Sequence, residues 1–177
     1  MLSVLETSFV AFRLPSFSGN VRKRLVKMPK LHFYDTGLAC WLLGIRTPGQ
    51  LRSHPLRGAI FETWVTSEVL KHRTNSGERG GLTFYRDRGG LESDLIVDYA
   101  GRSVLVEAKT AQTVASDLLA GARRVREVLS ARHPCSAVVV YGGSERQQRS
   151  DVTLVPWNML HEHPWGNDSH RSLPPPQ

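Results

Sequence analysis

The chain has 177 residues, 40% of them hydrophobic and 8% aromatic, with a formal net charge of +7. This suits one globular domain, or one domain with an appendage, and excludes a disordered or fibrous chain. No apolar run reaches membrane-span length and residues 1–19 lack a basic start, so a cytoplasmic protein without a membrane partner is expected.

Residues 2–8 read as the end of a helix. Runs at 9–14 and 21–28 flank the turn-rich Pro15-Ser-Phe-Ser-Gly-Asn20 and predict a hairpin. A short strand at 31–34 follows, then a helix to about Leu43 capped by Asp35 or Thr36 and stopped by Gly44 and Thr47-Pro-Gly49. Residues 57–73 have helical periodicity. Strands are predicted at 82–86, 91–99 and 102–110, a helix at 114–130, and strands at 136–141 and 152–156. A meander followed by a returning helix predicts an α/β fold, a mixed sheet with helices on its faces. Residues 1–50 form a small helix-plus-hairpin segment in this reading, 51–160 the main domain, and 161–177 a disordered tail ending in Pro-Pro-Pro-Gln. His161, His163 and His170 are read as tail residues, since no Cys or His partner set accompanies them. Cys40 and Cys135 are expected to be reduced, buried thiols.

The chemistry concentrates in the predicted hairpin joined at Ala100-Gly101. Pairing Tyr99 with Arg102 places Asp94 opposite Glu107 and Glu92 opposite Lys109, all four on one face. The other face receives Leu95, Val97, Tyr99, Val104, Val106 and Ala108, all suited to a core. A solvated face with a Glu92–Lys109 ion pair explains two of the four residues. Two opposed carboxylates repel, however, and call for a cation. Asp94, Glu107 and the Ala108 carbonyl form a candidate site for Mg²⁺ or Mn²⁺, with Lys109 orienting or activating a metal-bound water. On the helix 57–73, Phe61, Trp64, Val65 and Val69 mark an apolar stripe. Glu68 falls within about 20° of Phe61, and Glu62 about 120° from Glu68, so either glutamate is a candidate third acid. Glu68 paired with an arginine such as Arg86 is the alternative.

The positive charge predicts a polyanionic partner, DNA. Arg22, Lys23, Arg24, Lys27 and Lys30 form one basic cluster and Arg123, Arg124 and Arg126 another; with Arg86 these are the candidate phosphate contacts.

At Asp94 and Glu107-Ala-Lys109 the chain resembles the PD-(D/E)xK nuclease superfamily, which implies an αβββαβ core and metal-dependent hydrolysis of DNA phosphodiesters. Gly58-Ala-Ile-Phe-Glu62 is similar to the Gly-x-x-x-Glu of archaeal Holliday-junction resolvases and favours Glu62 over Glu68. Lys27-Met-Pro-Lys30-Leu-His-Phe-Tyr-Asp35-Thr-Gly-Leu38, Gly58 to Val65 and Phe84 to Asp94 further resemble the uncharacterised C-terminal domain of bacterial and archaeal AAA-type ATPases, over residues 1 to 157. That resemblance implies an ATPase partner or a self-associating chain, and a non-catalytic regulatory module as the alternative function. No Gly-x-x-x-x-Gly-Lys-Ser/Thr motif is present, so ATP is not an expected cofactor, and the chain reads as a truncated relative or a fragment.

Overall fold

In the computed structural model, described for residues 2–17, 27–99, 101–113, 117–130, 134–149 and 151–165, the alternating runs build the centre of a six-stranded sheet. Its strands are β3 (Leu82–Arg86), β4 (Glu92–Tyr99), β5 (Arg102–Lys109), β6 (Cys135–Tyr141), β7 (Gln147–Arg149) and β8 (Val152–Pro156), in the spatial order β3-β4-β5-β6-β8-β7. The first three form an antiparallel meander. β5, β6 and β8 run parallel, and β7 closes the far edge antiparallel. The fold is mixed α/β, as expected from the sequence.

The β4–β5 register follows the hairpin pairing, from Tyr99 opposite Arg102 to Leu95 opposite Val106. One face of the sheet packs Leu95, Val97, Tyr99, Val104 and Val106 with Val65 and Val69 of α4 (Arg57–Asn75). The opposite face buries Ile96 and Leu105 against Val125 and Leu129 of α5 (Asp117–Ser130). Both faces are therefore covered, as the near-continuous apolar runs at the sheet centre require.

Before the sheet come α1 (Leu2–Thr7), β1 (Ala11–Leu14), β2 (Lys30–Phe33), α2 (Thr36–Leu42) and α3 (Pro48–Ser53). β1 pairs antiparallel with β2, and of the expected hairpin partner 21–28 residues 21–26 lie outside the described residues. The expectation for the loop after α2 is corrected by the structure. Thr47-Pro-Gly49 does not merely end α2; Thr47 caps α3, and Gln50 returns its side chain to the Thr47 backbone to complete a capping box. Asp35 caps α2 as expected, accepting from the Gly37 N–H at 2.7 Å. Just past β1, Phe17 N–H donates to the Phe84 carbonyl and Phe84 N–H to the Pro15 carbonyl, attaching this segment to the outer edge of β3.

The folded chain also runs past 160. A 3-10 helix spans Trp157–Glu162, and Trp165 is buried, accepting the Tyr99 hydroxyl on its carbonyl at 2.7 Å. Thus 161–165, with His161 and His163, are not a disordered tail; 166–177, with His170, lie outside the described residues. Cys40 and Cys135 form no disulfide and are only partly buried. Among the described residues no helix is long and apolar enough to cross a membrane.

Candidate functional site

The acids gather where the β4–β5 ladder stops. Beyond Leu95 a side-chain oxygen takes over: Asp94 Oδ2 accepts from the Ala108 backbone N–H at 2.9 Å. Ser93 Oγ donates to the Val106 carbonyl and steadies the same turn of the strand. The N–H and C=O of one strand residue leave on the same side, so the Ala108 carbonyl also faces the Asp94 edge. Glu107 Oε1 accepts from Lys109 Nζ at 2.6 Å, while its Oε2 is buried and has no hydrogen-bond partner.

Lys30 supplies the unexpected contact. Its Nζ reaches from β2 to Glu62 Oε1 and to Glu92 Oε1, both at 2.7 Å, and lies 3.8 Å from Asp94 Oδ1. Lys30 is thus not a free phosphate contact but the internal counter-ion of three acids. Glu92 sits opposite Arg86 rather than Lys109, and takes Arg86 on its other oxygen at 3.4 Å. The predicted Glu92–Lys109 pairing is replaced because β3 and β4 pair across Glu92, whereas the β4–β5 ladder begins only at Leu95.

Glu62, and not Glu68, joins the cluster. The buried stripe of α4 runs through Val65, Thr66, Val69 and Arg73, and Glu62 lies within about 20° of Val69 around the helix axis. Glu68 lies about 100° from it and instead pairs with Lys71, partly exposed. Placing the stripe on Phe61 and Trp64 misdirects the expectation, because both aromatic rings are only partly buried.

These placements set the electrostatics. Burial, then the negative charge of Glu62, pushes the Asp94 carboxyl up to about 6, against the Ala108 hydrogen bond and the two lysines. Burial, then Asp94, pushes Glu107 up to about 7 despite Lys109. Burial alone would lower Lys30 and Lys109, but their carboxylate partners outweigh it and raise both. Burial and mutual repulsion thus cost the two acids more than their lysines return. Beside it, a cavity of about 450 Å³ is lined by Glu92, Glu107, the Asp87–Leu91 turn, Gly121 and Arg124.

Among the described residues no three His, Cys, Asp or Glu side chains converge as a metal cage; Lys30 stands among Glu62, Glu92 and Asp94. A hard cation nevertheless fits the two remaining acids. Glu107 Oε2 is an unpartnered buried oxygen, Asp94 carries a destabilised charge, and the Ala108 carbonyl faces the same edge. Of the arginines expected to hold phosphate, Arg124 lines the cavity, while Arg123 and Arg126 both pair with Asp151. Lys27 is exposed, and Arg22, Lys23 and Arg24 lie outside the described residues.

The profile of a domain of unknown function, DUF4143, matches residues 57–160. The chain belongs to that family. A second domain of unknown function, DUF8612, matches residues 1–49. The chain is also 30% identical, over 160 residues, to uncharacterised proteins of Mycobacterium bovis and Mycobacterium tuberculosis, covering 90% of its own length and 34% of theirs. It spans about a third of these relatives. Glu62, Glu92, Asp94, Glu107 and Lys109 all belong to the DUF4143 part, whereas Lys30 comes from the DUF8612 part. The cluster is assembled across the two.

Proposed function

We propose that the chain is a metal-dependent nuclease-like domain that hydrolyses DNA phosphodiesters. The observation that carries this reading is the buried pair Asp94 and Glu107, with one Glu107 oxygen unpartnered and Lys109 at 2.6 Å from the other. Buried acids whose lysine partners do not make up for burial are costly, and a cation shared by the two would offset the cost. Asp94, Glu107 and the Ala108 carbonyl would hold Mg²⁺ or Mn²⁺, which when bound supplies Lewis-acid activation of water and charge neutralisation at phosphate. Lys109, anchored by Glu107, would orient the scissile phosphate and the attacking water. Glu62 stands behind Lys30 as a further acid of the same cluster, and Arg124 would bind a flanking phosphate across the cavity. The element order helix, three antiparallel strands, helix, strand (α4-β3-β4-β5-α5-β6) supports a PD-(D/E)xK architecture.

A second reading is a non-catalytic DNA- or protein-binding module that regulates an AAA-type ATPase partner. The position of Lys30 favours it, since an ammonium between Glu62 and Glu92 supplies from within the charge that a divalent ion would bring. One experiment separates the two. Supercoiled, linear, single-stranded and branched DNA are incubated with Mg²⁺ or Mn²⁺ and wild-type chain or Asp94→Asn, and melting with Mn²⁺ is followed in parallel. The nuclease reading expects cleavage, and a Mn²⁺-dependent rise in Tm by mass action, both lost in Asp94→Asn. DNA that stays intact throughout, with no Mn²⁺ effect on either protein, would leave the module reading standing.

A further inference from the structure

Trp157 follows β8 directly and is 49% exposed, although it stands over the carboxyl ends of three parallel strands. Ligands of open α/β sheets characteristically bind outside such strand ends. Three cavities meet at this indole; one, of about 510 Å³, runs towards Glu68, Lys71 and His72, and the other two form the cleft. The first of these two, of about 460 Å³, lies towards α3 and α4 and is walled by Phe61 and Trp64. The other, of about 610 Å³, opens over Gly142–Glu145 and Asn158. Trp157 and Gln112 line both. The rings form a connected platform, with Phe61 stacked on Trp64 at 5.8 Å and Trp157 meeting Trp64 edge-on at 6.1 Å.

Backbone forms the floor. A side chain on Gly142 would place its Cβ 2.7 Å from the Thr110 carbonyl, so strand ends and turn are closely fitted there. Arg57 donates to that carbonyl at 2.9 Å, tying α4 to the end of β5. Arg52 and Arg57 line the first cavity and Arg149 the second, against the single carboxylate of Glu145. Aromatic faces, amide edges from Gln112 and Asn158, and surplus arginine suit a planar polar heterocycle attached to phosphate. An apolar peptide would leave the amides and arginines unused. Bases inside a duplex cannot lay a face on Trp157.

We infer that this cleft binds an unpaired base of single-stranded nucleic acid, stacked on Trp157. The inference extends the nuclease reading, since Lys109 and Gln112 are only three residues, at most about 11 Å, apart along the chain. It rests on different residues and needs no metal.

The test uses the full chain in EDTA with fluorescein-labelled oligothymidylate, read by anisotropy, beside a duplex of equal length. The single strand should bind more tightly than the duplex and quench tryptophan emission. Trp157→Ala should weaken binding about ten-fold, and Trp157→Phe should retain most of it. A melting temperature matching wild type excludes misfolding, and Gln112→Ala provides an independent variant that should weaken binding in the same direction. Equal affinity for wild type and Trp157→Ala, tighter duplex binding, or a dimer that Trp157→Ala dissociates would each overturn the inference. Loss of binding in Trp157→Ala without cleavage by any protein would sink the nuclease reading alone; cleavage with no Trp157 effect would sink the cleft alone.

Discussion

Asp94, Glu107 and His32 respond to pH in opposite senses. The folded chain binds a proton at Asp94 and Glu107 more tightly than the unfolded chain, holding them near 6 and 7 rather than 3.8 and 4.5. Their contribution is complete below about pH 4 and is lost as pH rises through 6 and 7. His32 is held to about 4 from an ordinary 6.5 by burial and then by Lys30, so its contribution is complete above 6.5 and lost as pH falls towards 4. His163, held to about 4 by burial and then by Arg146, acts in the same sense as His32. The two histidines offset the two acids, so the stability of the metal-free wild type should change by less than about 1 kcal/mol from pH 4 to 8. Asp94→Asn and Glu107→Gln each remove part of the acids' contribution and should leave a profile that rises with pH from 4 to 7; urea unfolding of wild type and both variants measures this. Variant profiles as flat as the wild type would mean that the two acids titrate as ordinary carboxylates.

At the scale of elements, the hairpin was legible because two apolar runs joined by one Gly-containing turn favour the register that buries Leu95, Val97, Tyr99, Val104 and Val106 on one face. α4 was legible as a helix but not in its rotation. Phe61 and Trp64 draw the eye as core residues, yet they wall the cleft beside Trp157, and the centre of burial falls on Val65 and Val69. Two substitutions report that rotation. Val69→Ala, at a fully buried position, should cost about 2 kcal/mol in chemical denaturation, whereas Glu68→Ala should change stability by less than about 0.5 kcal/mol and leave any cleavage unchanged. Equal costs would contradict the helix orientation. β7 escaped the sequence because Gln147-Gln-Arg149 has neither alternation nor apolar character. The role of Lys30 escaped it for another reason: its partners lie 32 and 62 residues away, and no local pattern carries that distance.

For the whole molecule, the net charge of +7 makes salt the decisive variable. DNA affinity should fall with about the 0.9 power of salt concentration for each phosphate neutralised. Arg124→Ala should lower both affinity and slope, by about one phosphate's worth. Arg123→Ala should do less, because Asp151 already holds that guanidinium. Anisotropy titrations of a DNA duplex at several salt concentrations measure both quantities, and an affinity indifferent to salt would count against nucleic acid as the partner. Composition alone makes the chain's own surplus of positive charge readable, and with it the expectation of an anionic partner. Which cations remain free for it became visible only once Lys30, Arg86, Arg123 and Arg126 had found carboxylates within the fold.

The contact of Pro15 and Phe17 with Phe84 has a consequence for self-association. An open sheet offers two borders of unsaturated backbone on which identical chains can grow into fibres. One border here is occupied by the chain's own Pro15–Phe17 segment, through hydrogen bonds of 2.7 and 3.0 Å. The other ends on a three-residue strand of glutamines and an arginine. Pro15–Phe17 thus act as a selvedge, finishing the sheet on the side where an unguarded β3, rich in aromatic residues, would invite another copy to add on.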